Sequence, residues 1–264
     1  MSKQRIALVF SGQPRCIDGI SYEGFRKCIL DEYDVDVYAH FWGDLESDKS
    51  TGSVSQNIEL FKTLYTPKSI QVDKPLLAEE FPLSFIERHS PIPITRDNVL
   101  DLKPSNWAYW VRNCVSMYTS MCRVYELVES SGVKYDWIIR TRTDCVLLRY
   151  PRLEKLDPGY MYAPDWHGPR NPVIVNHALI VPPSIAPTLF RIRHTLEGLR
   201  GNMDETFIYN HLWYHGFLDR VRTLPMTVFY PTLTRNGVQT DKPEPSMKSE
   251  VIDPPYSISP VPRV

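Results

Sequence analysis

Residues 5–10, RIALVF, are apolar at five successive positions and stop at Ser11-Gly12. A strand with one wet face alternates polar and apolar residues. An unbroken apolar run needs cover on both faces, as in a parallel sheet between helical layers. The pattern returns in DVDVYAHFWGD (34–44) and YDWIIRTRTDCVL (135–147), each time giving way to polar residues. Between these runs the spacing turns helical, over Ile17–Glu32 and in NIELFKTLYTP. It is helical again from Trp107, where apolar side chains recur at 110, 111, 114, 118, 121, 122, 125 and 128. Ser105 is the expected N-cap of that helix and Gly132 its stop. Further strands are expected at 69–72, in VIVNHALIVPP and over 224–235, with a helix at 203–215. Alternating strands and helices predict an α/β fold of one domain, residues 1–235. Its central sheet is mixed but mainly parallel and is flanked by helices. The proline-punctuated stretch 75–104 is an insert or an ordered loop. From Asn236 the chain is rich in Pro, Ser and charge and reads as an extended arm.

Charge narrows the partners. Thirty basic residues against 31 acidic ones leave a net charge of -1, which is no footprint for nucleic acid. The five cysteines are scattered without a CxxC pair, against a zinc knuckle or redox motif and in favour of reduced thiols in a cytoplasmic setting. The opening MSKQRIALVF is too short an apolar run for a signal peptide, and no stretch is long enough to span a bilayer.

The strand ends carry the chemistry. Ligands of open α/β sheets bind beyond the carboxyl ends of the strands, near a topological switch point. Ser11, Gly12, Gln13 and Arg15 follow the first strand, where Gly12 permits a sharp turn and Arg15, near the next helix, suits an anion. The segment lacks the glycine spacing of a dinucleotide fingerprint and the GK[ST] of a P-loop. Asp44, after the second strand, suits a ribose or sugar hydroxyl, and His40 reads as a core histidine bonded to backbone. Arg140, Arg142 and Asp144 fall at alternate positions, about 6.6 Å apart on one face if the strand continues. Two guanidinium groups and a carboxylate suit a pyrophosphate, directly or through Mg²⁺ or Mn²⁺ on Asp144. The rival reading is an ion-pair ladder stapling neighbouring strands.

FSGQPR, DVDVYAHFW and YDWIIRTRTD together resemble glycosyltransferases of the GT-A nucleotide-sugar fold, over roughly residues 5–235. More narrowly they resemble soluble enzymes with an Arg-x-Arg-x-Asp form of the DxD motif, including xylosyltransferases of large algal DNA viruses. The resemblance implies a UDP-sugar donor, UDP-xylose first, and an oligosaccharide or glycoprotein glycan acceptor. For a viral protein it implies the host-cell cytoplasm. Asp144 matches the second aspartate of the motif, and Arg142 stands where the first would be. This makes charge neutralisation by Arg142 an alternative to a bound Mn²⁺ or Mg²⁺. An inverting transfer needs a carboxylate base, and the resemblance points to Asp204 or Glu205 in MDETF, although acids also favour a helix's first turn. It also places His177 near the acceptor or sugar. Trp166, His167, Trp213 and Tyr214 offer aromatic surface for sugar rings. His211 and His215 lack the companions of a zinc site. The competing functions are a sugar-phosphate nucleotidyltransferase and a carbohydrate-binding protein without catalysis.

Overall fold

A computed structural model describes residues 3–44, 53–165, 173–200, 204–225, 227–235, 238–239, 250–253 and 258–260. The side chains of 53, 204, 230–235 and 238–239 lie outside that description. The first strand, β1 (Arg5–Gly12), is buried along nearly its whole length and lies inside the sheet. It pairs in parallel with β2 (Asp34–Trp42) on one side and β4 (Trp137–Thr141) on the other. Beyond β2 lies the edge strand β3 (Ser69–Asp73), again parallel. On the far side β4 meets β7 (Ala178–Val181) in antiparallel pairing, and β7 meets β6 (Met161–Pro164) the same way. Then β8 (Val221–Leu224) runs parallel to β6, and β12 (Ser259–Pro260) closes the sheet antiparallel to β8. Six of these eight strands point the same way, the α/β, mainly parallel arrangement that the apolar runs require.

Alternation along the strands divides the core. Ala7, Val9 and Ile138 join the cluster on one face, with Val115, Tyr118, Met121, Val124 and Val128 of α4 (Trp107–Ser130). Ile6, Leu8, Phe10, Trp137 and Ile139 join the other, with residues of α2 (Ser53–Tyr65) and of α1 (Gly19–Phe25). The first expected helix changes to a π-turn at Arg26–Leu30.

The stretch 75–104 is not an open loop. It holds α3 (Leu83–Arg88) and sends Leu76, Phe81, Phe85, Ile86, Ile94, Val99 and Leu102 into the first cluster. The cap of α4 is Asn106 rather than Ser105: its side chain accepts from the Ala108 N–H at 2.9 Å. Gly132, at φ +65°, follows its last turn.

The fold also contains a second sheet, which the sequence pattern does not predict. It is built on β5 (Cys145–Pro151), paired antiparallel with β9 (Tyr230–Arg235) and parallel with β11 (Glu250–Ile252), while β10 (Val238–Gln239) flanks β9. Two described pieces of the C-terminal arm, β11 and β12, are thus short strands at sheet edges. α1 crosses β5 so closely at Gly24 that a Cβ there would stand 2.9 Å from the backbone N and O of Leu147. Two more helices, α5 (Ala186–Phe190) and α6 (Asp204–Tyr214), lie on the α4 side.

Candidate functional site

The chain leaves β1 for β2 on one side and reaches β4 on the other, so the switch point lies between the carboxyl ends of β1 and β4. Val9 is level with Arg140, and Phe10 with Thr141. Arg140 is fully buried, and its Nε donates to Ser11 Oγ at 3.3 Å. One guanidinium is thereby fixed under the crevice.

The strand does not continue through Asp144. β4 ends at Thr141, Arg142–Asp144 form a turn closed by Cys145 N–H to Arg142 O at 3.2 Å, and β5 then enters the other sheet. The even spacing of three side chains on one strand face is therefore corrected. Arg142 and Asp144 are in direct contact instead. Nε donates to Oδ1 and Nη2 to Oδ2, both at 2.8 Å. Arg15 reaches in from the β1 loop, its Nε 2.9 Å from the same Oδ2.

That loop is zipped to the turn. Gly12 lies at φ +119°, a conformation other residues rarely adopt. The Arg15 N–H donates to Thr143 Oγ1 at 3.2 Å, and Thr143 Oγ1 donates to the Gln13 carbonyl at 3.3 Å. Asn57 of α2 donates to the Pro14 carbonyl at 2.9 Å. α1 begins only at Gly19, four residues past Arg15, so Arg15 rather than a helix end supplies the charge.

The clamp is open on one side. The Asp144 side chain is 3% exposed, whereas Arg142 is 25% and Arg15 51% exposed. The carboxylate is held inside and the two guanidinium groups reach solvent. Arg140 of β4 is buried close by, so three guanidinium groups, from Arg15, Arg140 and Arg142, gather where β1 and β4 end. A divalent ion suits this donor set poorly, because both Asp144 oxygens already accept from guanidinium groups and a cation would sit among like charges. Among the described residues no group of three His, Cys, Asp or Glu side chains is arranged to hold a metal.

Other expected residues gather along the same edge. The Thr141 hydroxyl donates to the His177 carbonyl at 3.2 Å, which sets His177 just before β7 and beside Arg142. The Ile174 N–H reaches the Glu205 carbonyl at 3.4 Å. Two residues, Val175 and Asn176, therefore separate Glu205's partner from His177, a span of at most about 10 Å. Asp204 is the first residue of α6, but its side chain lies outside the described residues, as do Trp166 and His167 entirely. Asp44 follows β2, half-buried, with Lys74 Nζ at 3.9 Å.

Two expectations are corrected. His40 is bonded by side chains rather than backbone: Nδ1 to Ser120 Oγ at 2.7 Å and Nε2 to Asp73 Oδ2 at 3.0 Å. Its burial lowers its pKa against the pull of Asp73. The Ser–His–Asp order is not a nucleophilic triad, because Ser120 is fully buried within α4. Trp213 and Tyr214 sit at the wrong end. The turn after them leads to Arg220, which donates to the Gly159 carbonyl and to Ser184 Oγ, at the amino end of β6.

No described helix is long and apolar enough to cross a membrane, and no disulfide joins the five cysteines. No family model and no curated protein matches the chain. Among solved structures it is similar to the glycosyltransferase GlyE of Streptococcus pneumoniae TIGR4, at 11% identity and a TM-score of 0.38. The likeness covers 85% of this chain and 45% of GlyE, so the chain spans less than half of that protein.

Proposed function

We propose that this protein is a glycosyltransferase that takes a sugar from a nucleoside diphosphate and passes it to a glycan hydroxyl. The observation that carries the reading is the Arg15–Asp144–Arg142 clamp, open to solvent above Arg140 at the switch point of the sheet. Planar guanidinium groups match phosphate oxygens in fork geometry and keep their charge at every working pH. Ser11, Gly12, Gln13 and Arg15 frame the diphosphate from the β1 loop, and Asp44 takes a ribose or sugar hydroxyl.

In the reaction, Asp204 or Glu205 accepts the proton of the acceptor hydroxyl as its oxygen attacks the anomeric carbon. The bond from that carbon to the diphosphate oxygen breaks, and its electron pair leaves with the diphosphate. Arg142 and Arg15 meet the growing negative charge, where preorganised donors contribute most. The anomeric configuration inverts. His177 and Trp166 are assigned to the sugar or acceptor. Mn²⁺ or Mg²⁺ on Asp144 is replaced in this reading by the guanidinium pair. UDP-sugars are the first donors to try, UDP-xylose ahead of the others on the sequence resemblance.

The test is a panel of nucleotide sugars with oligosaccharide acceptors, followed by release of nucleoside diphosphate. Consumption of one donor, lost in Asp204→Asn or Glu205→Gln with donor KM unchanged, is the expected result. Pyrophosphate release from a sugar phosphate and a nucleoside triphosphate instead identifies a nucleotidyltransferase.

A further inference from the structure

The helix α4 carries a row of side chains at 107, 110, 114, 117, 121, 124 and 128, spaced alternately three and four apart and so on one face. Along its length the row changes character. Met121, Val124 and Val128 are buried in the core they share with Ala7, Val9 and Ile138 of β1 and β4. Cys114 and Met117 are partly buried against the same core. Trp107 and Trp110 are 38% and 51% exposed.

The reason is geometric. α4 runs antiparallel to the central strands, since Ser120 faces His40 while Ser116, one turn earlier, accepts from Trp42 Nε1 at 3.2 Å. Trp42 is the last residue of β2. Trp110 stands six residues before Ser116, about 9 Å further along the axis, where the sheet has ended. The helix that covers β1 and β2 lower down therefore runs past the carboxyl edge of the sheet, carrying two partly exposed indoles. They are about 4.5 Å apart along the axis.

Trp110 is also braced. Tyr109 meets it edge-on at 6.0 Å, and the Arg112 guanidinium lies 4.7 Å from the Tyr109 ring. Arg112 in turn donates to the carbonyls of Val99 and Leu100. A rigid aromatic needs little ordering when a ligand arrives.

We propose that Trp107 and Trp110 form the acceptor platform of this protein, on which sugar rings of an oligosaccharide stack. This rests on the glycosyl-transfer reading, which places the reacting carbon at the same edge of the sheet. The occupant follows from the surface and its position. Indole faces suit the C–H face of a sugar ring and the indole N–H donates to its hydroxyls. Their place past the carboxyl edge of the sheet, the edge at which Arg15 and Arg142 stand, favours an acceptor rather than a partner protein.

The experiment uses the full chain labelled with 5-fluorotryptophan, its fluorine resonances assigned with Trp107→Phe and Trp110→Phe. Xylobiose, cellobiose, lactose and maltotriose are titrated separately, and UDP alone in parallel. The expected result is that one oligosaccharide moves the Trp107 and Trp110 resonances and UDP moves neither. The double variant Trp107→Ala/Trp110→Ala should then lose about tenfold or more in affinity for that sugar while keeping its UDP affinity. Failure of all four sugars to move either resonance overturns the platform. So does a UDP titration that moves both, because the indoles would then hold the nucleobase. Sugar binding at these residues without any UDP binding upholds the platform and removes the transfer reading.

Discussion

Thr143 Oγ1 lies 3.2 Å from the backbone nitrogen of Arg15 and 3.3 Å from the carbonyl of Gln13, joining the loop after β1 to the turn after β4. One hydroxyl thus sets the separation of the two arginines that share Asp144. Thr143→Val keeps the shape and removes both bonds. A nucleoside diphosphate should bind about tenfold more weakly to it, with little change in Tm, as titration calorimetry and thermal melting will show.

Asp144 is the counter-charge that holds Arg15 and Arg142 in place. Asp144→Ala leaves two guanidinium groups without their fixed partner and should lower turnover about a hundredfold or more through lost orientation. Diphosphate binding in metal-free buffer should weaken about tenfold, as in Thr143→Val, and not be abolished, because the positive charge remains. Steady-state turnover of the variant unchanged from wild type would show that the clamp is a staple.

Much of this was legible in the chain and some was not, for physical reasons. The continuous apolar run RIALVF announces a strand covered on both sides, and β1 lies inside the sheet. Gly12 before Arg15 marks the turn that its φ of +119° requires. The end of β4 was hidden because Thr and Arg extend a strand as readily as they form a turn, and RTRTD has no Gly or Pro to stop it. Arg142 and Asp144 therefore read as neighbours on a face, not as a bonded pair. Thr143 carries no signal of its own in the sequence, since only the fold brings it against Gln13 and Arg15. Trp107 and Trp110 show the limit of periodicity, which identifies the face of a helix but not where the sheet beneath it stops. The burial of side chains in 75–104 is not legible, because short turns separated by prolines leave no period to read.

His211 makes a pH-dependent contribution to stability. Its Nε2 donates to the Thr188 carbonyl and its Nδ1 faces Thr195 Oγ1, both at 2.7 Å. Burial, reinforced by nearby His215 and opposed by the bond to Thr188, brings its pKa down to about 4. The unfolded ring takes a proton near pH 6.5, the folded ring only near 4, so the contribution is present above about 6.5 and lost as pH falls through that window. The loss amounts to about 3 kcal/mol. Urea unfolding at about pH 7.5 and about pH 4.5 should show a clearly smaller difference in His211→Asn than in wild type.

Gly24 tests the contact between α1 and the second sheet. A methyl group there meets backbone atoms of Leu147 at 2.9 Å, and backbone does not swing aside. Gly24→Ala should cost about 1–3 kcal/mol by overpacking, despite alanine's better helix propensity. Chemical denaturation will read it. A neutral or stabilising result would mean that α1 and β5 are further apart.

The central claim is that guanidinium groups, not a metal on Asp144, hold the diphosphate. Its most direct test is calorimetric titration of UDP in EDTA, then in Mn²⁺, with wild type and Arg142→Gln. Binding in EDTA, little changed by Mn²⁺ and weakened about tenfold or more in the variant, is the predicted result. Wild type that binds UDP only when Mn²⁺ is supplied, or Arg142→Gln that binds as tightly as wild type, would contradict it.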